Sequence, residues 1–220
     1  MQMRVVRHRV MRNVWFAFQA PVPTVTQELE PEPPELASNA NRLSDLRRRM
    51  AIGGNLVSID FSNADLKDFR FNNGNLAAFS FVNATLVGCK FNNCNLSAAS
   101  FCNANLTSCV FIGCNLSSTN FWNADLRRCS FRDTNLSAQN FTNADLIRCD
   151  LTGCNVSAAN LSNANLASCK LGDCNISRGA FIQVTMLNVD ISDSTLTRVD
   201  FTGTDLSGVN FANCRLISCT

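Results

Sequence analysis

From Leu56 to Leu216 a large apolar residue stands at every fifth position, with no insertion anywhere in the run. The series opens Leu56, Phe61, Leu66, Phe71, Leu76, Phe81 and closes Phe201, Leu206, Phe211, Leu216. It holds 33 positions, twelve of them Phe. A helix repeats every 3.6 residues and a strand every 2, so neither brings these side chains to one surface. A backbone that bends every five residues does, turning one apolar side chain inward per segment.

A longer period sets the number of segments in a turn. Asn-Ala-Asp-Leu or Asn-Ala-Asn-Leu occupies 103–106, 123–126, 143–146 and 163–166, with Asn-Ala-Asp-Leu again at 63–66 and Asn-Ala-Thr-Leu at 83–86. Cysteine repeats at the same spacing, as Cys89, Cys109, Cys129, Cys149 and Cys169, and separately as Cys94 and Cys114 and as Cys154 and Cys174. Twenty residues at five per side make a four-sided coil. Residues twenty apart then stack about 4.8 Å apart, and eight such coils reach roughly 40 Å.

The units Ala64-Asp65-Leu66 and Ala124-Asp125-Leu126 resemble the A-(D/N)-L-x-x signature of the pentapeptide-repeat family. The resemblance implies an all-β fold, a right-handed quadrilateral parallel β-helix of about eight coils. The central Leu or Phe and the residue two before it then point inward. Phe81, Phe101, Phe121, Phe141, Leu106 and Leu126 are the expected core. A single coil cannot bury its own interior, and stacked neighbours do. Each inward Leu or Phe then contributes roughly 1.5–3 kcal/mol.

Three regions are expected. Residues 1–37 form a basic, aromatic-containing extension followed by a Pro/Glu linker. Residues 38–52 form a capping helix with Leu43, Leu46 and Met50 on one side, started by Asn39 or Asn41. Residues 53–220 form the β-helix. Within the extension Val6, Val10, Val14 and Phe18 fit one helical stripe. The stretch 20–35, with five Pro among Glu28, Glu30, Glu32 and Glu35, reads as extended and solvated.

The inward cysteines invite three readings. Free Cys is a good small buried residue, which is the favoured one. Stacked Cα atoms lie within disulfide range, but parallel Cβ vectors suit the torsion poorly, and a run of five leaves one unpaired. Zinc needs convergent ligands and no C-x-x-C pair occurs. The Asn63–Asn163 column reads as a hydrogen-bonding ladder at the corners. Asp65, Asp125, Asp145 and Asp205 read as a solvated outer face. No cofactor or metal is expected.

Catalysis has little to stand on. His8, the one His, lies in the extension, so no Ser/His or Cys/His arrangement forms on the repeats. No P-loop or H-E-x-x-H pattern occurs. The expected role is a non-catalytic structural or protein–protein interaction component. Arg4, Arg7, Arg9, Arg12, Trp15, Phe16 and Phe18 are its anchor to other protein subunits. Leu216, Ile217 and Cys219, on a last coil still in phase, are its end-to-end contact with a second copy, because an open strand edge invites pairing. Protection of a type II topoisomerase by mimicry of a DNA duplex, which the resemblance also suggests, needs a strongly acidic rod. Residues 53–220 instead hold eleven Lys/Arg against twelve Asp/Glu. Nucleic acid is disfavoured as a partner too: Arg127, Arg128, Arg132 and Arg148 cluster, yet Asp125, Asp133 and Asp145 lie beside them. No small-molecule substrate is expected. No apolar run is long enough to span a bilayer. The absence of a secretory pattern favours a reducing intracellular compartment, and the Arg-rich, acid-free start fits a mitochondrial targeting segment as well.

Overall fold

In the computed structural model the residues described are Ser44 and 60–220. The chain divides into Met1–Pro33 and Pro34–Thr220, and every described residue belongs to the second unit. The expected boundaries at 37/38 and 52/53, the capping side chains Leu43, Leu46 and Met50, and residues 3–18 lie outside the described residues.

The described chain is an all-β parallel solenoid of about seven turns, against the eight coils expected. Its strands are only three residues long. They are β1 (Arg70–Asn72), β2 (Lys90–Asn92), β3 (Val110–Ile112), β4 (Asn175–Ser177), β5 (Thr195–Thr197) and β6 (Arg215–Ile217). β1–β2–β3 and β4–β5–β6 form two parallel sheets, each in a register of twenty, as in Phe71↔Phe91↔Phe111 and Ile176↔Leu196↔Leu216. Single bridges continue the same register elsewhere, for example Asp65↔Thr85, Asn75↔Asn95 and Ser80↔Ser100. Four bridge columns per turn give four sides. We number them by their centres: first Phe61, second Leu66, third Phe71, fourth Leu76, each recurring every twenty residues.

The bend itself is a turn. The carbonyl of a centre accepts the N–H three residues on, as from Ala64 to Phe61 and from Cys89 to Leu86. The residue two after the centre has positive φ: Asn63 62°, Asn83 58°, Asn103 57°, Asn123 56°. That is the pattern of a type II turn, whose third residue must enter the left-handed region. Asn suits it, and in this column the amides also bond upward: Asn83 donates to Asn63 at 3.2 Å, Asn103 to Asn83 at 3.2 Å and Asn123 to Asn103 at 2.9 Å. The expected corner ladder is therefore present over these four residues.

Every centre from Phe61 to Phe201 is buried. Phe71, Phe91, Phe111 and Phe131 stack at 4.6–4.8 Å with planes within 4°. On the opposite side Phe81, Phe101, Phe121 and Phe141 stack at 4.8–5.2 Å. The two columns meet edge to face at 5.9–6.4 Å, so each ring has favourable stacked and T-shaped neighbours. Leu106 and Leu126 fill the second side between them.

Candidate functional site

The interior is packed with side chains, so any site must be built on the outer sides. The position before each centre comes first. Its Asp or Asn oxygen accepts the backbone N–H two residues on, as from Lys67 to Asp65 at 3.3 Å, Arg127 to Asp125 at 3.2 Å, Ile147 to Asp145 at 3.1 Å and Ser207 to Asp205 at 2.9 Å. These carboxylates were expected only as a solvated face. They also close the turn, the local bonding that makes Asp and Asn turn residues. The signal was present in the sequence as the alternation of Asp and Asn at one repeat position.

The cysteine columns carry a second unforeseen role. Cys89, Cys109, Cys129, Cys149 and Cys169 are buried free thiols. Each S–H donates to the carbonyl of a Leu centre in the coil before, at 2.7–3.0 Å. On the next side Cys94 and Cys154 donate to the carbonyls of Phe71 and Phe131 and Cys174 to that of Leu151, at 2.9–3.4 Å, and the partly buried Cys114 donates to Phe91. Thr119, Ser194 and Thr204 take the equivalent place with a hydroxyl. Cysteine is thus an inward donor as well as a small apolar filler. Burial pushes the thiols of Cys154 and Cys174 up, to about 12 and about 11. It acts upward on Cys129, Cys169, Cys109 and Cys149 alike. On the last two, hydrogen bonds from the thiols above and below act the other way, so that neighbouring rungs pull in opposite directions. A thiolate at one rung thus requires its neighbours to stay protonated. Among the described residues no group of His, Cys, Asp or Glu is arranged to hold a metal.

Within the basic spot Arg127 and Arg132 are ion-paired. Arg127 Nε donates to Asp125 at 2.8 Å and lies 3.8 Å from Asp145; Arg132 bonds Asp150 at 3.1 Å. Burial acts to raise Asp125, and the Arg127 side chain and backbone N–H outweigh it and hold the carboxyl below the ordinary range.

The twenty-residue register also segregates charge. Between Asn72 and Ser177 the chain carries Lys90, Asp125, Arg127, Arg128, Arg132, Asp133, Asp145, Arg148, Asp150, Lys170 and Asp173. All eleven lie on the second and third sides and their corners. Over the same stretch the fourth and first sides carry none. The fourth side presents Asn75, Asn95, Asn115, Asn135 and Asn155. Asn95 donates to Asn75 at 3.0 Å and Asn115 to Asn95 at 3.1 Å, beside small Ala and Ser. The first side presents Ser, Asn and Thr around Trp122, which is 40% exposed. This uncharged wall was missed because charge was counted along the chain and not by position in the coil.

The proposed anchor residues Arg4, Arg7, Arg9, Arg12, Trp15, Phe16 and Phe18 lie outside the described residues, as does His8. In the last turn Leu216 is 54% exposed, and Ile217 and Cys219 are partly buried.

Known proteins share this architecture. A model of pentapeptide repeat regions matches residues 104–179, and a model of eight pentapeptide repeats matches 59–97 and 186–220. No curated protein matches the chain significantly. A trypsin-treated variant of QnrB1, a plasmid-mediated fluoroquinolone resistance protein, superimposes with a TM-score of 0.58 at 25% identity, covering 73% of this chain and 78% of its own. Full-length QnrB1 superimposes with a TM-score of 0.57 at 24% identity, over 73% of this chain and 80% of its own.

Proposed function

The chain belongs to the pentapeptide-repeat family, and from that premise we propose that it is a non-catalytic interaction body that docks protein partners on its uncharged wall. The carrying observation is the segregation, between Asn72 and Ser177, of eleven charges onto two sides while the adjoining two, with Trp122 among Asn and Ser, have none over that stretch. Depletion of charge around an exposed aromatic residue is the compositional mark of an interface centre. The extension, through Arg4, Arg7, Arg9, Arg12, Trp15, Phe16 and Phe18, is the proposed second anchor.

The test uses the full chain as bait, with Trp122→Arg on the uncharged wall and Lys170→Glu on the charged one. Trp122→Arg should lose the captured partners while Lys170→Glu keeps them, with both variants melting like the parent. Capture unaffected by Trp122→Arg would sink the reading. Protection of a type II topoisomerase by DNA mimicry remains disfavoured, because acids on the described coils are matched by cations nearly one for one and three cations pair with them directly.

A further inference from the structure

Along the corner between the fourth and first sides, one column reads Ala78, Ala98, Ser118, Ala138, Ala158, then Arg178 and Arg198. Both arginines have positive φ, 55° and 56°. They are held one coil apart, since the Arg178 N–H donates to the Thr197 carbonyl at 2.8 Å. Left-handed backbone is costly for a residue with a long side chain, and like charges one coil apart repel. Among the described residues no ion pair offsets this: those present engage Lys67, Arg127 and Arg132. Arg178 and Arg198 line a shallow surface groove of about 600 Å³ together with Ala158, Ser177 and Thr197, and no carboxylate lines it. The acids nearby are engaged elsewhere. Asp200 accepts from the Thr202 N–H and hydroxyl, and Asp193 accepts from Asn213 on the far corner of the same side. The other stacked pair, Arg128 and Arg148, differs: its groove also holds Arg127, which is paired with Asp125 and Asp145.

We propose that this groove binds an extended, carboxylate-rich segment of a protein partner, with Arg178 and Arg198 each taking one acidic side chain. A guanidinium offers a carboxylate two parallel N–H donors, and the Thr197 hydroxyl adds a neutral one. Alternate residues of an extended chain lie about 6.6 Å apart on one side, within reach of two arginines one coil apart. The assignment rests on the reading of the solenoid as a protein-binding body and names the chemistry of one partner segment.

Fluorescence anisotropy of the full chain with a labelled hexaglutamate peptide tests it, with hexaglutamine and inorganic phosphate as comparators. Hexaglutamate should bind saturably and more weakly as salt rises. Affinity should fall about tenfold or more in R178Q/R198Q and stay unchanged in R128Q/R148Q; hexaglutamine should not bind. Equal binding by R178Q/R198Q, equal loss in R128Q/R148Q, no hexaglutamate binding, or binding of inorganic phosphate alone overturns the proposal. Purified chain and a defined peptide keep this result separate from partner capture by the Trp122 variant.

Discussion

At the scale of single residues the inward positions are not equivalent. Phe121 is fully buried, with rings stacked on both sides at 5.2 Å and edges at 5.9 and 6.3 Å. Removing it leaves a cavity that neighbouring coils cannot close without breaking their own register. Phe121→Ala should cost about 3–5 kcal/mol in equilibrium urea unfolding. Gln139 is the opposite case. It is 1% exposed, its Nε2 donates to the Ser137 carbonyl at 3.1 Å, and its Oε1 has no partner. It sits where the first-side ring column gives way from Phe141 to Leu161, which leaves volume for a longer neighbour. A buried unsatisfied acceptor costs about 1–3 kcal/mol. Gln139→Leu should therefore leave stability unchanged or raise it by up to that amount, in the same assay.

At the scale of the repeat, the turn depends on an acceptor before the centre. Asp65 is held below the ordinary value of 3.8 first by Lys67, and Asp190 first by the Ser192 N–H. Asp125 and Asp150 are lowered too, despite burial acting the other way. A carboxyl depressed in the folded state contributes stability that is fully present above its unfolded value. That stability is lost as pH falls through the folded one. The melting midpoint should be flat down to about pH 4.5 and drop below it. Asn105 and Asn165 occupy the Asp125 column and accept the same N–H at 3.1 Å. Asp125→Asn should therefore keep the fold and weaken the acid sensitivity. An unaltered acid limb in that variant would assign the sensitivity to other groups.

At the scale of the whole molecule, stacking leaves an edge. β6 is the outermost strand of its sheet, and Leu216 at its centre is half exposed. A parallel strand edge that nothing covers pairs readily with another chain. We propose that this strand makes end-on contact with a second copy through Leu216, Ile217 and Cys219. Light scattering across a concentration series should show association of the parent chain and its loss in Leu216→Asp. A concentration-independent monomer in both would remove the assignment.

The apolar beat of five and the motif period of twenty determined, by themselves, a four-sided coil and its central core residues, and the family resemblance added the inward cysteines. The two periods suffice because each coil repeats the same local bend, and a bend that never slips leaves one way to stack. Only the folded coil decided what the outward residues do. The Asp and Asn before each centre close turns, and the thiols donate to carbonyls twenty-three residues back. Two arginines share a groove without a carboxylate, and between Asn72 and Ser177 charge separates onto two sides. Each of these depends on which groups lie one coil above or around a corner. That neighbourhood is a property of stacked backbones in three dimensions, invisible while charge and polarity are counted along the chain.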